Sequence, residues 1–378
     1  MTKKKVCIIA PIHKYSDVRI FHKEAKTIFE DGYEVILFAQ HTNNDIIEGI
    51  TVKAIPKFGG FLKRMFVQPW IFLQVVRCEA DIVHLHNPDT LILGFIFKSL
   101  RKKVIYDTHE DFTKKILVRE WLPKVLRLPI AKCVGRLEFM AGKFFDKVIT
   151  TQPDVCQRIG TNCIVIENPP KINKKIIDKV YSRASSIEKG NCFRTIYLGT
   201  INEIRGLFEM LTAMVYLNEE YGISARFWLI GPIKQELLEQ AQKHPGWHYT
   251  DFLGQLPQEE AFSYLLRADV GLIIIHKVGG YDYTNPNKLF EYQLFGIPFI
   301  ASNFPYWKKS VDSASPSGIF IDPADIQGIA EAMFIIAHNK DYAKTLGENG
   351  RNFIVNYYNW EIESAKLLAV YQEISESH

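Results

Sequence analysis

Lys288 stands where helix electrostatics disfavour it, in the stretch YTNPNKLFEYQLFGIPFIAS that runs from Tyr283 to Ser302. Asn285 and Pro286 are the residue types of a helix N-cap and a first helical position, and Leu289, Phe290, Leu294 and Phe295 give an apolar face. Gly296 ends the helix, and Pro298 opens a β-rich run, PFIAS. Lys288 thus falls in the first turn, beside unpaired N–H groups and the positive end of the dipole. A cation there costs a few tenths of a kcal/mol up to about 1 kcal/mol. A second cation, Arg205, lies in the turn TINEIRG after the strand-like run RTIYLG, where Gly199 permits a tight turn and Arg205-Gly206 open another helix. Two cations beside two helix starts suit a pyrophosphate. The plainer alternative is a surface charge at Arg205 and an i,i+3 ion pair between Lys288 and Glu291. Glu291 is otherwise suited to accept both hydroxyls of a ribose.

The first half offers a different set. KVIYDTHEDF puts His109 and Glu110 just past a strand, where a histidine can donate to a sugar hydroxyl or share charge with a reacting centre. HLHNPD places His84 and His86 on one face of a strand. Nothing in the His, Cys, Asp and Glu spacing matches a zinc site, and no metal is expected. In SDVRIFHKEA, Asp17 is either a helix N-cap or a polar group facing the same crevice, and Arg19 is either structural or poised to meet an anionic acceptor.

Strand-like runs must position these residues. VCIIAP, EVILFAQ, TVKAIP, DIVHLHN, KVIYDTH, KVITTQ and CIVIEN fill the first half, with helical patterns such as 17–31 between them. Continuous Val/Ile-rich strands with intervening helices predict parallel sheets covered on both faces, an α/β fold. The lysine-rich stretch opening at Pro169-Pro170 reads as a linker, after which RTIYLG, RFWLIG, HYTDFLG, VGLIII, PFIAS and SGIFID restart the rhythm. The expected layout is a first Rossmann-like domain over 1–170, a linker over 171–192, a second over 193–356, and a terminal amphipathic helix over 357–378. Trp360, Ala365, Leu368 and Tyr371 are expected along one face of that helix. Ligands of open α/β sheets bind at the carboxyl ends of the strands. Neither HKYSDVRIF nor TINEIRG carries G-x-G-x-x-G, which argues against a dinucleotide dehydrogenase.

The 378 residues suggest two domains, and six scattered cysteines without C-x-x-C suggest reduced thiols in a cytosolic protein. MTKKKVCIIAP is too short in its apolar run for a signal peptide, and no run approaches a membrane span. The net charge of +4 hides an asymmetry: residues 1–170 carry 26 Lys and Arg against 18 Asp and Glu, and the remainder 20 against 24. A basic first half implies an anionic surface or an acidic partner. Phe58–Arg77 combines Phe61, Met65, Phe66, Trp70, Phe72 and Leu73 with Lys63, Arg64 and Arg77, and Lys114–Lys132 adds more basic and apolar residues. Such segments either lie in a lipid interface or pack on a sheet. No RNA- or DNA-binding motif accompanies the charge, so nucleic acid is not expected.

In order and spacing, SDVRIFHKEA, DIVHLHNPDTLILG, VIYDTHEDF, VIENPP, YLGTINEIRG, FLGQLP, PNKLFEYQLFGIPFIAS and YNWEIESAKLLAVY resemble the family 4 glycosyltransferases of the GT-B fold, over nearly the whole chain. The resemblance implies two Rossmann-like domains facing each other across a cleft, with the last helix crossing back to the first. It implies retaining, metal-independent transfer of a sugar, without cofactor, from a nucleotide-sugar co-substrate bound mainly by the second domain. A UDP-sugar is expected ahead of a GDP-sugar, with a glycan or lipid-linked acceptor on the first domain. The implied setting is cell-surface polysaccharide synthesis in the cytoplasm or peripherally on the inner face of the membrane.

Carried over by position, the resemblance makes Glu291 the ribose ligand and Arg205 the basic residue that holds the diphosphate. Lys288 becomes a second phosphate ligand, and His109 the histidine near the reacting sugar carbon. Gly199, Thr200, Leu256, Asn287 and Leu289 complete the donor side; Asp17, Arg19 and Glu110 are the acceptor side. The family's second glutamate is replaced by Tyr283, next to Asp282; the arginine after the glycine of YLG is Thr200; and Ser16-Asp17-Val18-Arg19 stands in place of a Gly-Gly loop. A nucleotide-sugar 2-epimerase of the same architecture and a non-catalytic nucleotide-sugar-binding protein are the competing readings.

Overall fold

Strand patterning alone divides the chain. The computed structural model describes residues 3–57, 61–119, 122–278, 280–283, 285–311 and 315–376, with side chains except those of 61–66. Phe61, Lys63, Arg64, Met65 and Phe66 of the basic-aromatic segment therefore lie outside the described side chains, and Phe58 outside the described residues.

One sheet contains β1 (Lys5–Lys14), β2 (Glu34–Gln40), β3 (Asp45–Ile47), β4 (Ile50–Ile55), β5 (Ile82–His86), β6 (Lys103–Thr108), β7 (Lys147–Thr150) and β8 (Cys163–Val165), in the order β3-β4-β2-β1-β5-β6-β7-β8. All its neighbours pair in parallel except β3 with β4, a hairpin at the edge. The second sheet contains β9 (Phe193–Leu198), β10 (Ala225–Ile230), β11 (Thr250–Gly254), β12 (Val270–Ile273), β13 (Phe299–Ser302) and β14 (Gly318–Ile321), all parallel, in the order β11-β10-β9-β12-β13-β14. In that order the chain reverses its direction of winding between β9 and β12, and in the first sheet between β1 and β5. Such switch points are where α/β sheets open a crevice at their carboxyl edge.

Burial on both faces explains the continuous apolar runs. Along β1, Val6, Ile8 and Ala10 join one core while Cys7 and Ile9 join the other. In the second sheet Ile196 and Leu198 face one core and Tyr197 the opposite one.

Chain contacts define two compact units, Met1–Asn168 with Trp360–His378, and Pro169–Asn359. The terminal helix Trp360–Glu376 completes the first unit: Trp360, Leu367, Val370, Tyr371 and Ile374 join the core of Val6 and Ile8. Its buried face differs from the expected one, since Ala365 is exposed and Leu368 only half-buried. Two hydrogen bonds fix the register: Trp360 Nε1 donates to Thr27 Oγ1 at 3.0 Å, and the Tyr371 hydroxyl meets His84 Nδ1 at 2.8 Å.

The stretch 171–192 is not a bare linker. Asn173 caps a helix, Lys174–Ala184, by accepting from the N–H groups of Lys175 and Ile176. Its narrow stripe of Ile176, Ile177 and Val180 packs on the second unit. The many lysines on its outer face mask that stripe in the sequence.

Candidate functional site

A cavity of about 610 Å³ opens at the carboxyl edge of the second sheet, at its switch point. Gly199, Thr200, Arg205, Leu256, Asn287, Lys288 and Glu291 all line it. Of the residues expected on the donor side, Leu289 alone does not. Its side chain is fully buried in the core, and its N–H donates to Pro286 O at 3.1 Å. Position i+1 from Lys288 points a helical side chain away from the cavity by about 100°.

Lys288 does lie in a first turn, but the helix is Asn287–Leu294 with Pro286 at the cap position. Asn285 is not the cap: its Nδ2 donates to Ser310 Oγ at 2.8 Å, and among the described residues no side chain caps the helix. An uncapped N-terminus leaves first-turn N–H groups for a ligand.

Lys288 reaches back over the end of β9. Its Nζ sits 4.9 Å from the centre of the Tyr197 ring. Gly199 has φ +121°, and a carbon added there would lie 2.7 Å from Lys288 Nζ and 4.0 Å from Arg205 Nη1. Both cations therefore converge on one bare strand end. Arg205 is held by a 3.2 Å hydrogen bond from Nη1 to Thr200 O and lies over Tyr281, 5.8 Å from the ring centre. Burial and the neighbouring Arg205 push the Lys288 ammonium down to about 8, against the pull of Glu291. The site has accumulated positive charge that an anion would relieve.

Sequence reading missed the floor of this cavity. Gly231 and Pro232, after β10, line it. A side chain at Gly231 would strike Gly199 O at 1.9 Å, so the two strand ends pack backbone to backbone. The available signal was a glycine closing three neighbouring strands, in IYLG, WLIG and DFLG.

The first unit gathers a second group at its own switch point. Asp17 caps the helical segment Val18–Ala25, accepting from the N–H groups of Arg19 and Ile20. That segment begins with wide i→i+5 turns, as in His22 N–H to Asp17 O, and becomes α-helical only at Lys26–Glu30. Asp17 Oδ2 also lies 3.3 Å from His13 Nδ1, while His13 Nε2 meets Asn87 Oδ1 at 3.3 Å. Two oxygen acceptors favour the doubly protonated imidazole. Asp17 and Asn87 thus raise His13 against the downward push of burial. Despite burial, the His13 contact and the Ile20 N–H hold Asp17 at about 2. His13 was not among the expected site residues.

The His109 ring lies 5.2 Å from that of His13, edge to face. Burial, opposed by Asp107 and reinforced by Arg19 and His13, lowers His109 to about 4. It is a neutral imidazole beside one whose proton is held more tightly than usual, and its buried Nδ1 has no hydrogen-bond partner among the described residues. Glu110 is ion-paired to Lys115.

Arg19 is not on offer to an acceptor. It is 4% exposed, with Nη2 2.8 Å from Asp107 Oδ2 and Nε 2.7 Å from Glu24 Oε1. His84 and His86 are likewise buried; His86 Nε2 lies 3.3 Å from Glu24 Oε2. Burial, together with the nearby Asp107, raises Glu24 well above the carboxylate range even beside Arg19. Ligating atoms of Glu24, His84, His86 and Asp107 fall within 4.8 Å of one another. Arg19 already serves both carboxylates, so a metal ion would have to compete with it for them.

Comparison with known proteins fits this division. Residues 19–169 match the family profile "Glycosyltransferase Family 4", and residues 180–353 match "Glycosyl transferases group 1". The chain is similar to an uncharacterized glycosyltransferase of Methanocaldococcus jannaschii, 23% identical over 358 residues and 88% of each chain. Its fold is similar to sucrose-phosphate synthase of Thermosynechococcus elongatus (TM-score 0.76, 15% identity, 98% of this chain and 99% of the other). It is similar also to HepE of Anabaena in complex with UDP (TM-score 0.69, 12% identity, 98% and 99%). With both units matched by glycosyltransferase profiles, the chain belongs to the family 4 glycosyltransferases of the GT-B fold.

Proposed function

We propose that the protein is a retaining, metal-independent hexosyltransferase that takes its sugar from a nucleotide donor, a UDP-sugar ahead of a GDP-sugar. The observation that carries this reading is the convergence of Lys288 and Arg205 on the bare Gly199 strand end, beside an uncapped helix N-terminus. Glu291 lines the same cavity and is assigned the ribose hydroxyls. UDP is favoured because HepE, a protein of similar fold, binds it.

As the bond between the anomeric carbon and the phosphate oxygen breaks, the leaving diphosphate gains negative charge. Lys288, Arg205 and the first-turn N–H groups act where that charge develops. The acceptor hydroxyl attacks on the same face, its proton passing to the departing phosphate oxygen, which retains the anomeric configuration. On the first unit, His109 is assigned to the donor sugar, and Asp17 and Glu110 to the acceptor side. Arg19 is assigned to holding Asp107 rather than to substrate. The acceptor is a glycan or lipid-linked glycan of cell-surface polysaccharide synthesis, met at an anionic membrane surface by a cytoplasmic protein. The charge asymmetry of the first 170 residues supports that location.

Incubation with UDP- and GDP-sugars, with and without lipid-linked acceptor, tests the assignment. Acceptor-dependent release of nucleoside diphosphate is expected. Epimerised sugar without acceptor would instead identify a 2-epimerase, and binding without turnover a non-catalytic binder.

A further inference from the structure

Helix Lys124–Phe144 wears its large apolar side chains outward. The residues it buries are small or polar: Ala131, Glu138, Ala141 and Gly142. Val125 is 81% exposed, Phe144 57% and Leu128 53%, and Leu126, Phe139 and Met140 are exposed as well. At 100° per residue these six fall on one broad arc, and exposed Lys132, Arg136 and Lys143 fall on the same arc. The one acidic residue of the helix, Glu138, faces inward, where it meets Arg158 at 2.8 Å and the Tyr106 hydroxyl at 3.2 Å. The preceding helix, Phe112–Leu117, ends in exposed Leu117 and Val118. From residue 112 to 137 the chain has seven Lys and Arg and a single acid, Glu120.

A soluble helix turns its apolar stripe to the core. Here the stripe faces out, interleaved with cations whose aliphatic stems can lie along an apolar layer while their heads reach phosphates. We propose that this face of helix Lys124–Phe144 is the surface by which the protein docks on an anionic phospholipid bilayer, lying in the interface rather than crossing it. No described helix is long and apolar enough to cross. At about 1.5 Å per residue the helix would lay roughly 30 Å of apolar face along the headgroup boundary. A second copy of this chain is a poorer occupant, because an isologous contact would set Lys132, Arg136 and Lys143 against themselves with no carboxylate on the face to answer them. The inference deepens the reading of a lipid-linked acceptor and rests on it for its purpose, not for its geometry.

Flotation of the full chain with phosphatidylglycerol–phosphatidylethanolamine vesicles, against pure phosphatidylcholine, tests it. The wild type is expected to float with the anionic vesicles at low salt and to be released at high salt. Val125→Glu with Leu128→Glu should lower partitioning at least about tenfold, and Lys132→Glu with Arg136→Glu by roughly fivefold or more for each charge removed. Ile46→Glu, at an exposed position on β3, should float like wild type. Unchanged thermal midpoints in all three establish that they fold. A wild type that stays unbound with anionic vesicles at low salt overturns the proposal. So does a Val125→Glu, Leu128→Glu protein that floats undiminished, or a vesicle-indifferent dimer that those substitutions dissolve. Calorimetry with UDP and with GDP separates the two readings: flotation with neither nucleotide bound would uphold the docking face and remove the nucleotide-sugar assignment.

Discussion

Lys288 occupies the space that a side chain at Gly199 would need, since a carbon added at Gly199 would lie 2.7 Å from the lysine Nζ. The strand end must be bare for the ammonium to lie over it. In the proposed function, a diphosphate approaching the backbone would exploit the same bareness. Gly199→Ala meets both obstacles, with φ +121° as a conformational penalty of about 1–3 kcal/mol and the lysine as a steric one. Urea unfolding should register that loss. Calorimetry should show affinity for the nucleoside diphosphate at least about tenfold weaker. Removing the lysine as well, in Gly199→Ala with Lys288→Ala, should recover part of the stability and none of the affinity. Wild-type affinity in the single variant would detach the strand end from the nucleotide.

The lowered Lys288 value gives a signed pH dependence. Burial and Arg205 bring it to about 8 in the folded protein, from 10.5. Between those values the unfolded chain binds more protons than the folded one, so stability rises with pH across that window and levels off above it. Lys288→Met should abolish that rise and stabilise the empty protein at pH 7 by on the order of 1 kcal/mol, while turnover falls. A bound diphosphate reverses the local field, so at pH 8–9 nucleotide binding should take up a proton. Calorimetry in buffers of different ionisation enthalpy measures that uptake, and zero uptake would mean that the phosphates do not meet Lys288.

Legibility from sequence followed the range of the interactions. Apolar strand runs declare themselves within a few residues, so every strand except β3 was read. The three residues of β3, Asp-Ile-Ile, have no room for a period. Lys288, Arg205 and Glu291 could be placed on one cavity because Pro286 and Gly199 are local signals of a helix start and a strand end, even though Asn285 is not the cap. Arg19 was not, because its partner Asp107 lies 88 positions away and only the fold brings them to 2.8 Å. His13 failed for the same reason, since Asn87 is 74 positions distant. The helix within 171–192 was obscured by its lysines.

Arg19 should behave as a structural cation rather than an acceptor ligand. Arg19→Met would leave Asp107 buried without its partner, beside a Glu24 that burial already holds well above the carboxylate range. Breaking one side of a buried pair costs about 3–5 kcal/mol. Denaturant unfolding should show a loss of that size, and any surviving enzyme should keep its acceptor KM. A stable Arg19→Met protein whose acceptor KM alone rises would return Arg19 to the substrate.

His13 and His109 offer the most direct reading of charge on the first unit. The Asp17 contact holds His13 above its ordinary value, while burial takes the adjacent His109 to about 4. His13 should therefore hold its proton to higher pH than an ordinary imidazole, while His109 is neutral near pH 7. Because the folded His13 value is raised, its contribution to stability is full below about 6.5 and disappears as pH rises through the folded value. Asp17, held at about 2, contributes above its unfolded value of 3.8 and loses that contribution as pH falls through 2. Asp17→Asn separates charge from capping, because asparagine caps a helix about as well as aspartate. Histidine-selective NMR titration should show the His13 midpoint falling in that variant, and the His109 midpoint moving upward as His13 gives up its proton more readily. The acid limb of kcat/KM should move with whichever histidine the transfer requires, and a profile that follows neither would take both out of the reaction.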